Sequence, residues 1–186
     1  MHFTLSDLVT DITQNSCEAG AGLVDLSISE TNSEFRFTVK DDGKGMSKEV
    51  FSKALDPFMS GGIKHPHRKV GLGLPFLVQT AEQSGGGWHI DSKPGRGTVL
   101  CAWFDLHIID VPPIGDIPGM VRTVLLFSGP AELIVRRSLK RERHEYNWEV
   151  RKTKLLEILG SFEESGSLIL LNEYLRSQED GRENVV

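Results

Sequence analysis

Two cysteines and two tyrosines in 186 residues are the first scarcities of this sequence. Cys17 and Cys101 stand alone, without the CxxC spacing of a redox or zinc site, so two buried free thiols are expected rather than a disulfide or a metal pair. Positive charge is not in excess either. The formal charge is -5, acid and base are spread along the whole length, and neither nucleic acid nor an anionic membrane is an expected partner. No run approaches the roughly 20 consecutive apolar residues that a bilayer span needs. The opening Met1-His2-Phe3-Thr4 lacks the basic-then-apolar layout of a secretory signal, so a cytoplasmic protein is expected. There is no internal repeat and no GxxxxGK[ST] phosphate loop. His144-Glu145 is not followed by the second histidine of a zinc-binding HExxH helix.

What is present suffices for a folded domain with a core, since 39% of the residues are hydrophobic and 25% charged. Leu5, Leu8, Val9 and Ile12 recur at a helical period over Ser6 to Ala19, with Gly20 placed to end the helix. Leu23 to Ser29 and Phe35 to Val39 alternate as two strands of a hairpin around Thr31-Asn32-Ser33. Ser47 can cap a short helix from Lys48 to Leu55, after which Pro57, Gly61, Gly62 and Pro66 predict a long loop to about Val70. Leu72 to Ser84 reads as a helix, and Trp88 to Asp91 and Thr98 to Leu106 as two strands. Pro112, Pro113, Gly115 and Pro118 then mark a boundary. A domain over 1–106 and a small α/β C-terminal region over 107–186 are expected, the latter as a docking or dimerising unit. Within it, Asp116 can cap a helix, Leu133 to Arg137 and Tyr146 to Val150 suggest strands, and Thr153 to Leu159 and Leu168 to Leu175 suggest helices preceded by Ser or Thr caps. The basic run Arg136, Arg137, Lys140, Arg141, Arg143 reads as a solvated hairpin tip, and Gln178 to Val186 as a frayed end.

Four short patterns carry chemistry. Asp11 and Asn15 lie four apart on the first helix and so address one site. Asp41-Asp42-Gly43-Lys44-Gly45-Met46 follows the second strand, with glycines that let backbone approach a ligand. Gly71-Leu72-Gly73-Leu74 opens a helix, where exposed N–H groups and the helix dipole attract anions. Gly97-Thr98 opens the last strand of the first unit. Read as structure alone, these would be a solvated carboxylate, a capping amide and ordinary turns.

In order and spacing they resemble the N, G1 and G2 boxes and the closing Gly-Thr of the GHKL superfamily, which includes DNA gyrase, mismatch-repair MutL, a heat-shock chaperone and the sensor histidine kinases. The resemblance covers residues 5–106. It implies a two-layer α/β (α+β) sandwich of the Bergerat type, a mixed sheet with helices on one face, that binds ATP with Mg2+. It also implies the residue roles. Asn15 supplies an oxygen to the metal. Asp41 accepts from the adenine amino group, Thr98 shares a water beside it, and Gly43, Gly45, Met46, Gly71, Leu72, Gly73 and Leu74 line the nucleotide. The loop 59–69 resembles the ATP lid. Among its cations Lys64, His65, His67, Arg68 and Lys69, Lys64 and Lys69 stand as phosphate-contact candidates, with the choice among the five left open; Phe58 resembles an F-box anchor.

Asp11 occupies the place where hydrolysing members carry Glu to activate water. Its carboxylate is one methylene shorter, so hydrolysis stays open. Only fourteen residues precede Asn15, with His2 their sole histidine, so the dimerisation hairpin of a complete sensor kinase is not expected within this chain. Three functions follow from the resemblance: a stand-alone histidine-kinase-like module that phosphorylates or ATP-switches a separate protein partner, a non-catalytic ATP-binding regulator, or a slow ATPase switch. A protein partner, and self-association into a homodimer, belong to these expectations.

Overall fold

The computed structural model describes residues 4–56, 73–142 and 144–180. Helix α1 (Leu5–Glu18) starts at a reciprocal cap, in which the Thr4 hydroxyl accepts from the Asp7 N–H and the Asp7 carboxylate accepts from the Thr4 N–H. It ends where Gly20 takes φ +76°, as its position predicted. Strands β1 (Leu23–Thr31) and β2 (Glu34–Asp41) form the expected antiparallel hairpin. Ser47 caps α2 (Lys48–Leu55), and α3 (Gly73–Gln83) precedes β3 (Gly87–Lys93) and β4 (Gly97–Asp105). Asp116 caps α4 (Ile117–Leu125), which is followed by β5 (Glu132–Arg141), β6 (His144–Arg151), α5 (Lys152–Leu159) and α6 (Ser165–Asp180).

All six strands form one mixed sheet in the order β3-β4-β2-β1-β5-β6. Because side chains alternate across a strand, one parity of residues faces the helices. Leu26 and Ile28, Phe35 and Phe37, Ala102 and Phe104, and Leu133 and Val135 meet α1, α3, α4 and α6 in a single buried cluster. The other parity, including Ser27, Ser29, Thr38 and Ser138, lies half exposed on a face that no helix among the described residues covers. This is the Bergerat-type two-layer arrangement. No helix among the described residues is long and apolar enough to cross a membrane.

The expected boundary near 106 does not coincide with a break in the sheet. β5 runs parallel to β1 from Leu23↔Glu132 to Thr31↔Lys140, so residues beyond 107 extend the same layer and the same core. The proline-rich stretch read as a divider is instead a tie. Leu5 and Ser6, at the start of α1, donate their N–H groups to the carbonyls of Pro113 and Ile114 at 2.9 Å, satisfying donors that a helix N-terminus leaves unmade. Leu106 likewise donates to Ser33 at 2.8 Å.

Three further expectations for the C-terminal region need correction. Helix α5 has no Ser or Thr cap. Its N-terminus is served from outside, since Glu132 accepts from the N–H and hydroxyl of Thr153 at 3.2 and 2.6 Å. Residues 178–180 are helical, not frayed, and Glu179 is buried; residues 181–186 lie outside the described residues. The basic run is a solvated tip only in part: Lys140 and Arg141 are exposed, whereas Arg136 and Arg137 are not. Arg137 is fully buried and pairs with Glu30 and, at 3.4 Å, with Glu179; Arg141 also pairs with Glu30, while Arg136 binds Asp25 and, at 2.8 Å, Glu149. Tyr146 and Trp148 donate to Glu179, each at 3.1 Å. Arg143 lies outside the described residues.

A buried guanidinium deprived of a carboxylate keeps its desolvation cost without the compensating attraction. Glu30→Ala is therefore expected to lower stability by about 3–5 kcal/mol. Urea denaturation checks this, and a loss below about 1 kcal/mol, the scale of an exposed pair, would show that the network is dispensable.

Candidate functional site

The predicted residues that fall among the described ones come together where α1, the end of β2, the start of α3 and the β3–β4 hairpin meet. α1 does this by being two-sided. Leu5, Leu8, Val9 and Ile12 face the core, while half-buried Asp11 and exposed Asn15 face the first turn of α3. A Cβ built on Gly73 would lie 3.5 Å from Asp11 Cβ, 3.6 Å from Asp11 Oδ2 and 3.7 Å from Asn15 Nδ2. The side chain of Asn15 makes no hydrogen bond among the described residues. Leu74 turns into the core, so only its backbone is available to a ligand.

Asp41 is buried, and its carboxylate is held by donors from three elements. The Ser16 hydroxyl donates to Oδ2 at 2.7 Å, and the Gly43 and Thr98 N–H groups donate to Oδ1 at 2.9 and 3.2 Å. Thr98 stands directly opposite Asp41 in the β2–β4 register. The carboxylate thus has one orientation, with one rigid oxygen toward α1 and the other toward the hairpin. The loop after it is stitched on both sides: Lys44 donates to the Ala19 carbonyl at 3.1 Å, and Gly95 donates to the Lys44 carbonyl at 2.8 Å. Met46 donates its N–H to the Ser92 hydroxyl at 2.8 Å, and that oxygen lies 2.8 Å from Thr98 Oγ1.

Two glycines make this approach possible. Gly45 has φ +61°, and a Cβ there would lie 2.0 Å from the Lys93 carbonyl oxygen. Gly97 has φ +84°, and its Cβ would lie 1.9 Å from the Asp41 carbonyl oxygen. Neither position admits a side chain without moving backbone.

Asp42 is exposed, and its carboxylate is occupied, accepting from Gly22 and Leu23 at 2.8 and 2.9 Å and fixing the start of β1. Behind the site Cys17 is buried, and burial pushes its thiol pKa up against the opposing pull of Lys152. Both cysteines are free. Lys64, Lys69, Gly71 and Leu72, with Phe58 and the rest of the lid segment, lie outside the described residues. Two residues that sequence reasoning passed over are hydrogen-bonded to the candidate site residues, Ser16 to Asp41 and Ser92 to Met46 and Thr98. Ser16 was legible as the neighbour of Asn15, one step further round the helix toward Asp41; Ser92 becomes visible only through its pairing with Thr98.

Two concavities among the described residues lie elsewhere. One of about 480 Å³ sits on the open sheet face beside Ser27, Arg36 and Arg136, and another of about 550 Å³ sits between α2, α3 and Trp88. Neither includes Asp41 or Asn15. Among the described residues no group of three or more His, Cys, Asp or Glu could hold a metal ion by itself.

A mixed sheet covered by helices on one face, with a clamped aspartate at the end of β2 and an asparagine-bearing helix beside it, defines the Bergerat class of α/β domains. The chain belongs to the family of histidine kinase-, DNA gyrase B- and HSP90-like ATPases, whose model matches residues 3–108. It is similar to sporulation kinases A and C of Bacillus subtilis (strain 168), 31% and 33% identical over 98 residues, which is 52% of this chain and 16% and 22% of those proteins. It is also similar to the sensor histidine kinase ZraS of Escherichia coli (strain K12), 26% identical over 94 residues, 50% of this chain and 19% of that protein. The chain therefore matches less than a quarter of the length of each of these relatives.

The two glycine positions can be separated from ordinary turn glycines. Gly97→Ala is expected to cost at least about 2 kcal/mol, combining left-handed strain with a backbone clash. Gly95→Ala has φ +73° but open space around its Cβ, and should cost about 1 kcal/mol. Chemical denaturation of both variants checks the ordering.

Proposed function

We propose that this chain is a Mg-ATP-binding module of the histidine-kinase type that phosphorylates, or is switched by ATP for, a separate protein partner. The observation carrying the reading is the Asp41 carboxylate, buried and oriented by Ser16, Gly43 and Thr98. A charged acceptor fixed in this way, with lone pairs beyond the three bonds it already accepts, favours a base with an N–H donor at the 6-position, where adenine carries an amino group and guanine a carbonyl that would face the carboxylate as a second acceptor. Adenine meets the requirement through its amino group, with Gly43, Gly45 and Met46 bringing backbone against the base.

The phosphates would run toward the N-terminus of α3, where Gly73 adjoins Asp11 and Asn15. A polyphosphate beside the Asp11 carboxylate requires a bridging cation. Mg2+ suits this role, since it takes oxygen ligands and keeps most of its shell from waters and phosphate; Asn15 would supply one oxygen. Lys64, Lys69, Gly71 and Leu72 complete the proposed phosphate side. Similarity to sensor and sporulation kinases favours transfer to a protein acceptor over release to water. The shorter reach of Asp11 is the feature that favours a second reading, an ATP-binding regulator without chemistry.

Asp41→Asn turns an acceptor into a group that also presents N–H donors toward the base, and is expected to reduce ATP affinity at least about 100-fold, of the order of a buried charged hydrogen bond lost. Isothermal titration with ATP and GTP checks this; equal affinity for the two nucleotides in the parent chain would overturn the adenine reading. Asp11→Ala should leave binding within about threefold of the parent. With γ-labelled ATP and Mg2+, label on a co-purifying protein supports phosphotransfer, and free phosphate that disappears in Asp11→Ala supports hydrolysis. Tight binding with neither product supports the regulator.

A further inference from the structure

β6 closes one end of the sheet. Its inner side pairs with β5 without a break from Arg141↔His144 to Ile134↔Arg151, and its outer side has no backbone partner among the described residues. Such an edge is a template for another strand unless it is blunted by proline, a bulge or repelling charge. The segment His144-Glu145-Tyr146-Asn147-Trp148-Glu149-Val150-Arg151 holds no proline or glycine, and its register has no bulge. We propose that this edge pairs antiparallel with β6 of a second copy of the chain, about a two-fold axis at Trp148, joining the two six-stranded sheets into one.

The register follows from symmetry and charge. A two-fold that relates antiparallel edge strands stands perpendicular to the sheet, so the helix layers stay on one side and residues of like parity face each other. The axis must then pass through a residue. Centred on Asn147, Glu145 would oppose Glu149 of the second copy; centred on Glu149, that residue would oppose itself. Like charges directly opposite are destabilising. Centred on Trp148, the strands overlap from Glu145 to Arg151. Glu145 then faces Arg151 of the second copy on both sides of the axis, Asn147 faces Glu149, and Tyr146 faces Val150. Registers nearer either end overlap fewer residues.

The groups required are available. The Glu145 side chain is 63% exposed, with only a 4.0 Å contact to Lys140. Arg151 donates through Nε to Glu149 at 2.7 Å, and its terminal nitrogens make no hydrogen bond among the described residues. Trp148 at the axis is half-buried and held by its Nε1 bond to Glu179, so an apolar surface is already in place where the two copies would meet. The inference stands on the strand edge alone and is independent of nucleotide binding.

Sedimentation velocity of the full chain over a dilution series should show a monomer–dimer equilibrium. Glu145→Arg opposes Arg151 twice and is expected to raise the dimer dissociation constant about tenfold or more; adding Arg151→Glu should restore it. In a Cys101→Ser background, Asn147→Cys with Glu149→Cys should give an oxidised covalent dimer, whereas Asn147→Cys alone should not. A monomer at every concentration, a dimer indifferent to Glu145→Arg, or cross-linking by Asn147→Cys alone would each overturn the proposal. Circular dichroism melts matching the parent confirm that each variant is folded.

Discussion

The site depends on one carboxylate whose every contact comes from a different part of the chain. Asp41 receives Ser16 from α1, Gly43 from its own loop and Thr98 from β4. These three bonds fix more than the aspartate. They set the distance between α1 and the sheet at the site, hold the loop over 42–46 against the β3–β4 hairpin, and align the helix that presents Asp11 and Asn15. A buried carboxylate is tolerated only when its oxygens are satisfied, so the local geometry is over-determined. That is the condition under which an acceptor can select a ligand without rearranging to meet it.

A second buried charge organises the other end of the molecule. Arg137 on β5 sits on the helix side of the sheet, between Glu30 on β1 and Glu179 on α6. Its value lies in specificity of placement. Apolar packing alone would let α6 slide along α4, but Glu179 must reach Arg137, Tyr146 and Trp148 together, and this fixes the position of the helix. Core contacts then pass from α6 through α4 to α1, whose far side carries the candidate site. The two charged centres thus lie at opposite ends of one continuous packing path.

Much of the framework of the candidate site is legible because its signals are local. The apolar stripe of α1, the Ser47 cap, the strand alternation and the glycines of the 41–46 loop each depend on neighbours within a few residues, and each appears where the pattern placed it. Strand order was not legible. The parallel pairing of β1 with β5 joins segments about a hundred residues apart, and nothing in either strand names its partner. Proline and glycine at 112–118 resemble a boundary because irregular backbone looks alike whether it separates two units or binds one to itself. The Arg137 network leaves a trace in strand parity. Leu133, Val135 and Leu139 place Arg137 on the inward face, and Val24, Leu26 and Ile28 do the same for Glu30. Two opposite charges at inward positions of two strands are an invitation to pair them.

The family-matched stretch, residues 3–108, is not self-sufficient in this chain. Without β5, strand β1 would become an edge and expose the backbone groups it now pairs with residues 132–140. Without the 113–114 segment, the first donors of α1 would be unmet, and without α4 the flank of α1 that packs against it would face water. α1 is also the helix that holds Asp11, Asn15 and Ser16. Residues with no counterpart in the family match therefore complete the support of the helix on which the candidate chemistry rests, and a cut near the apparent boundary would remove part of the site's own foundation.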